Sequence, residues 1–277
     1  MTSDTSVAES WEDLQQRLFD GSWDTGVGRF RSRFVFRGLD DSRYGLSTSL
    51  MRLGGPYRDL ERHLLRNVRK YAPSAVVERD SFWHWLTLGQ HHGLPTRLMD
   101  WTYSPFIAMH FATAKTDRFS SDGAIWAVHV GDALSLAPHG FTQAWQEVGG
   151  YGLDLDTLPK LVPTLEDFEA LSTEPFVVFF EPPSISDRII NQYAIFSAMS
   201  DPTIGIDDWL RSTRVSDRVR HKKIVIPATL KWEIRDKLDH ANITERMLFP
   251  GLDGLCSWLR RYYGPKSSGA APSGRKQ

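Results

Sequence analysis

The sequence predicts an α+β fold: a single domain of short strands in small mixed or antiparallel sheets, surrounded by helices. Segments with an apolar period near 3.6 residues and segments with period-two alternation both occur, but they do not alternate regularly as βαβ units would. No Pro/Gly-rich linker and no internal repeat divides the 277 residues, which suffice for one large core. The hydrophobic share of 41% and charged share of 24% are those of an ordinary globular chain, so a wholly disordered or fibrous protein is not indicated. Residues 1–9 are small and polar and read as disordered. The tail KSSGAAPSGRKQ, 266–277, reads as flexible, which leaves 10–265 as the domain.

The elements follow in order. A first helix over 10–19 carries Trp11, Leu14, Leu18 and Phe19 on one face, with Ser10 as its cap. In RFRSRFVFRG, period two puts Phe30, Phe34 and Phe36 on one face and Arg33, Val35 and Arg37 on the other, with Gly38 ending the strand. Gly26-Val27-Gly28 lacks the third glycine and the helix start of a dinucleotide fingerprint. Residues 58–71 align Leu60, Leu64, Val68 and Tyr71, with Glu61 and basic residues forming a solvated face. A helix over 80–91, capped by Asp80 or Ser81, ends at Gly93 and Pro95. Ser104-Pro105 starts the next, which packs through Ala108, Phe111 and Ala112. GAIWAVHV (123–130), VVFF (177–180), AIFSAM (194–199) and KIVIP (223–227) read as strands, and 229–239 as a helix.

Several function classes lack their signatures. A net charge of −1 gives no global attraction for nucleic acid or anionic membrane. The single cysteine, Cys256, excludes an internal disulfide, and within GLCSWL it reads as a small buried hydrophobe. No secretory signal and no membrane-length apolar run is present, so the chain reads as soluble and cytoplasmic. His84, His91 and His92 with Asp100 lack the spacing of a metal site, and neither HExxH nor GxSxG nor a P-loop occurs.

The segment TRLMDWT is different in kind. Extended, it presents Thr96, Leu98, Asp100 and Thr102 on one face and Arg97, Met99 and Trp101 on the other. So many polar side chains in a packing segment must bond one another or a ligand. An Arg97–Asp100 structural pair and a ligand site are the two readings.

FVFRG (34–38), YGLSTSLMR (44–52), QHHGLPTRLMDWTYSPFIAMHFA (90–112), RIINQYAIF (188–196) and LFPGLDGL (248–255) occur together and in order. That set resembles the bacterial FRG-domain family over about residues 30–260, with Met99 and Ala194 as small departures. The motif order is in turn similar to that of ADP-ribosyltransferases. An Arg-Gly strand end is followed by a Ser/Thr strand leading into a helix of Ala and Phe, then by a third strand with Glu or Gln. The resemblance implies an ADP-ribosyltransferase-like core using NAD, with Arg37, Thr102 and Gln192 as catalytic residues. It implies Gly38, Tyr44, Gln90, His91, Arg97, Asp100 and Trp101 as the residues that bind NAD. Arg37 would contact pyrophosphate or ribose, Gly38 would admit the nicotinamide amide, and Tyr44 or Trp101 would stack on nicotinamide. Gln192 brings no charge, and Glu181 is the substitute acid. The acceptor is open among protein, nucleic acid and small molecule. A toxin or phage-defence role, with an antitoxin or immunity partner, fits such an enzyme. The alternative is a non-catalytic module binding nucleotide or nucleic acid through Arg37, Arg97 and the basic run Arg214 to Lys223.

Overall fold

Among the described residues ten short strands form: β1 (Asp4–Val7), β2 (Trp23–Asp24), β3 (Arg29–Phe30), β4 (Phe34–Leu39), β5 (Leu98–Thr102), β6 (Gly123–His129), β7 (Leu153–Asp154), β8 (Val177–Glu181), β9 (Ala194–Met199) and β10 (His221–Ile226). The structure is a computed structural model that describes residues 4–73, 80–147, 153–184 and 186–264. Eight strands make one mixed sheet in the order β1-β10-β6-β4-β5-β9-β8-β7, and β2 and β3 form a separate hairpin. The outer pairs β1–β10 and β7–β8 are parallel and the rest antiparallel. The fold is therefore α+β, as the mixed periodicities predict.

Strand register decides where the sheet opens. Each residue of β4 from Phe34 to Leu39 pairs with β6, and each residue of β5 from Leu98 to Thr102 pairs with β9. Between themselves, β4 and β5 share only the pair Phe36–Thr102. The sheet is thus two well-bonded halves joined at one point, and it opens beside that point.

Each face of the sheet carries its own core. Phe34 and Phe36 point to a core with Ala108, Ala112, Ile125 and Ile224, beneath the helices Trp11–Phe19, Pro105–Ala112 and Lys231–His240. Val35, Trp126 and Val128 point to the larger core shared with the helices Tyr57–Tyr71 and Phe82–His91. Ser10, Ser81 and Ser104 cap their helices through side-chain oxygens, and Pro105 occupies the first turn.

Four expectations are corrected. Residues 4–7 are not disordered: they add to the edge of β10, which satisfies their main chain, and Ala8 is buried. Residues 1–3 and the tail 266–277 lie outside the described residues. Phe30 does not share the face of Phe34. It belongs to the β2–β3 hairpin, edge-on to Trp23 and 61% exposed, because strand parity is lost where the chain leaves one sheet for the other. On the helix Tyr57–Tyr71 the buried residues are Glu61 and Leu65, while Tyr71 is exposed. Glu61 is drawn inward by an ion pair with Arg97. Cys256 is exposed, because the helix Leu252–Tyr262 buries only Gly254. That glycine lies against the Phe249 carbonyl, where a Cβ would fall 1.8 Å from the oxygen.

Candidate functional site

The opening between β4 and β5 is a cleft of about 250 Å³. Of the residues expected at a site, Arg37, Gly38, Gln90, His91, Asp100, Trp101, Thr102 and Gln192 line it. Tyr44, Arg97 and Glu181 do not.

Strand parity lifts Arg37 away from the phenylalanine core and into the opening. Its Nη1 donates to the main-chain carbonyl of Asp100 and lies 3.9 Å from the Asp100 carboxylate. Its Nε is buried and has no partner among the described residues. Burial pulls the guanidinium pKa down from its ordinary value, and Asp100 opposes that shift. Asp100 in turn accepts from Gln90 Nε2 at 3.0 Å, and Gln90 Oε1 accepts from the Thr96 hydroxyl at 2.6 Å. That chain of hydrogen bonds fixes which way the Gln90 amide points. Among the described residues no hydrogen bond runs from His91 or His92 to Asp100, and Gln90 orients that carboxylate instead. His91 ends its helix with its ring edge-on to His92, and burial together with the Arg188 charge lowers its pKa. It is therefore neutral near pH 7.

Thr102 is buried, and its hydroxyl accepts from the Ser104 amide at 3.0 Å, so it anchors the start of the helix Pro105–Ala112. Gln192 caps the helix Asp187–Asn191 rather than lying within β9, and its Nε2 donates to the Leu248 carbonyl at 3.0 Å. Trp101 turns its ring to the core: Nε1 donates to Ser197 Oγ at 2.8 Å and the ring meets Phe179. The aromatic surfaces of the cleft come instead from Phe36, Phe111 and Phe196. Gly38 is required by packing. A Cβ there would fall 1.9 Å from the Ala108 carbonyl, so the missing side chain lets the helix approach the strand.

The residues outside the cleft have evident work elsewhere. Arg97 does not pair with Asp100. It is fully buried between Glu61 (Nε–Oε2, 2.5 Å) and Glu169 (Nη2–Oε1, 2.6 Å), with a further bond to the Ser200 carbonyl at 3.1 Å. It ties the helix Tyr57–Tyr71 to β5. Tyr44 lies under the Arg118 guanidinium, and Glu181 accepts from the Tyr103 hydroxyl at 2.9 Å. Within the basic run, Arg214 pairs with Glu174 and Arg220 with Asp132, while Lys222 and Lys223 bond main-chain carbonyls. Among the described residues, no group of three or more His, Cys, Asp or Glu is gathered as a metal site.

Arg188 is the charged cleft residue that sequence reading missed. It precedes Gln192 by one helical turn within RIINQ, and that i,i+4 spacing places both on one side of the helix. Its guanidinium lies 5.1 Å from the centre of the Phe249 ring. No helix among the described residues is long and apolar enough to cross a membrane.

No curated protein and no solved structure matches this chain. One family model does, and it spans β4, β5 and the helix that starts at Pro105, the elements that bring Arg37, Gly38, Asp100, Trp101 and Thr102 to the cleft. Residues 32–121 match the model described as the FRG domain.

Proposed function

We propose that the cleft between β4 and β5 binds NAD by its nicotinamide–ribose end and that the protein is an NAD-dependent ADP-ribosyltransferase. The observation that carries this reading is the meeting of Arg37, Asp100, Thr102 and Gln192, contributed by three distant parts of the chain, around one opening. Arg37 Nε is a buried donor with no partner among the described residues, which fits an anionic or carbonyl oxygen of the dinucleotide. Arg188 adds a second cation, and two guanidinium groups suit a diphosphate. The phenylalanines supply flat apolar walls for the nicotinamide ring. At about 250 Å³ the cleft falls below the ~300 Å³ of ordinary small-molecule pockets, so it encloses one end of NAD and leaves the adenosine outside.

The chemistry asks little of the protein. Breaking the C1′–N bond releases neutral nicotinamide from a cationic ring, so no proton need be given to the leaving group. The acceptor's nucleophilic atom forms the new bond to C1′ and gives up its own proton. What the site must supply is orientation, and negative charge near the developing ribosyl cation. Asp100 is the carboxylate that lines the cleft, and it takes that electrostatic role, with Gln192 binding a ribose hydroxyl. An effector in toxicity or phage defence is the biological setting such an activity fits.

A second reading, nucleotide binding without transfer, is favoured by the glutamine at 192, which adds no charge. Titration calorimetry with NAD, followed by measurement of free nicotinamide, separates them. Binding with release supports the transferase, binding without release supports the second reading, and no binding overturns both.

A further inference from the structure

A second, larger hollow of about 590 Å³ abuts the cleft. The two sites share a wall. Thr102 and Gln192 face the cleft, whereas the residue following each of them, Tyr103 and Tyr193, lines the hollow. The Tyr103 amide donates to the Tyr193 carbonyl at 3.1 Å, and the two rings lie 5.0 Å apart, forming an aromatic platform. Tyr193 holds a left-handed backbone conformation, φ +47°, just past a helix end where glycine is the usual residue. Such a conformation costs free energy in a residue with a side chain, and here it throws the ring outward, 60% exposed.

The opposite bank is the segment 30–33, with Asp24 beside it, whose carboxylate accepts from the Gly26 amide at 2.8 Å. Arg31 and Arg33 are both exposed, and neither has a carboxylate partner among the described residues. This contrasts with Arg58, Arg62, Arg97, Arg211, Arg214 and Arg220, each of which is paired with an acid. Phe30 stands exposed among them. At the floor, Glu181 accepts from the Tyr103 hydroxyl, whose pKa is raised by burial and then by Glu181, so the phenol keeps its proton and the carboxylate keeps lone pairs for another donor.

We infer that this hollow is a binding site for single-stranded nucleic acid, in which a base stacks on the Tyr103–Tyr193 platform and the phosphates lie along Arg31 and Arg33. An exposed base needs an aromatic face and an acceptor for its N–H groups, and its backbone needs cations free of acidic partners; the hollow offers all of these. A duplex hides its base faces and does not fit. A guanidinium-bearing peptide would find Glu181 and the rings but would be repelled by the two arginines. The inference stands apart from the NAD reading, since it concerns binding at the second hollow alone.

The test is fluorescence anisotropy with a labelled single strand of mixed sequence, about 12 nucleotides long to cover one binding groove, as RNA and as DNA, with the same sequence as a duplex for comparison. The single strand is expected to bind more tightly than the duplex. Tyr193→Ala should weaken it roughly tenfold, as removal of one stacking platform does. Tyr193→Gly should weaken it equally while holding or raising the melting temperature, because glycine relieves the left-handed strain; this variant separates lost binding from lost folding. Replacing Arg31 and Arg33 together by Ala should weaken binding and flatten its salt dependence by about 1.4 in log–log slope, about 0.7 for each phosphate no longer neutralised. Arg214→Ala should change nothing. No single-strand binding overturns the inference. Equal affinity for duplex, affinity unchanged by the Tyr193 variants, or equally tight binding of poly-glutamate would each reduce the hollow to a plain cationic surface and overturn it too.

Discussion

Arg37 reaches across the opening between β4 and β5 to donate to the main-chain carbonyl of Asp100, while its Nε stays buried with no partner among the described residues. One side chain therefore spans the two halves of the sheet at the place where their own hydrogen bonding lapses, and it still has a donor to offer. The geometry separates the donors: Nη1 is taken up by the Asp100 carbonyl, and Nε is left without a partner among the described residues.

Arg37→Lys tests that separation. Lysine keeps a charge and a donor for the Asp100 carbonyl but loses the planar fork. NAD binding or turnover should fall by roughly tenfold to a thousandfold, the loss expected for one charged hydrogen bond. The thermal midpoint should barely move. A large drop in that midpoint would assign Arg37 to the fold instead.

Arg97→Met should behave in the opposite way. It removes the cation from between Glu61 and Glu169 and leaves the fully buried Glu61 carboxylate uncompensated, while Glu169 keeps its pair with Arg62. The expected cost is about 3–5 kcal/mol, read from urea unfolding. Stability close to that of the native protein would contradict the structural role assigned to the pair.

Gly38→Ala should destabilise through one methyl group. Its Cβ would meet the Ala108 carbonyl at 1.9 Å and the Ala112 amide at 2.6 Å, both main-chain atoms of a packed helix. Overpacking of this kind costs about 1–3 kcal/mol or more. Because Gly38 also borders the cleft, NAD affinity should fall as the helix shifts, a pairing that combined melting and titration would detect.

Acid should weaken the fold in two stages. His110 is buried, and burial together with the Arg235 charge pushes its pKa down to about 3 from 6.5. Burial alone would raise Glu245, but the hydrogen bond from Arg261 and the Arg235 charge override it and hold the carboxyl at about 2, below its ordinary 4.5. Both folded values lie below the unfolded ones, so the unfolded chain takes up more protons as pH falls. The stability these groups contribute is full above about pH 6.5. It declines first as the unfolded His110 protonates, then below about 4.5 as Glu245 does. His110→Gln, which keeps an acceptor for Arg235, should flatten urea midpoints between pH 6.5 and 4.5. An unchanged slope would contradict the assignment.

How far the sequence foretells the structure depends on how local each feature is. The caps at Ser10, Ser81 and Ser104 are set by residues a few positions apart, and they form as the sequence indicates. The outward turn of Arg37 follows from parity within one strand. Parity misleads at Phe30, because nothing in RFRSRFVFRG marks where the chain passes from the small hairpin to the large sheet. The partner of Arg97 is equally hidden: Glu61 lies far off in sequence on a helix whose charges look solvated, and only tertiary packing brings it in. Arg188 escapes notice although its spacing from Gln192 is visible, since its motif reads as a strand start and not as a helix end.

The central claim, that the opening in the sheet cleaves NAD, is tested most directly by incubating the protein with NAD labelled in the nicotinamide ring, in cell extract, and measuring free nicotinamide. The native protein should release it, Arg37→Lys should release roughly tenfold to a thousandfold less at unchanged melting temperature, and Gln192→Ala should be similarly impaired. Release that is equal in all three proteins, or absent from the native protein across extract and added acceptors, would contradict the claim.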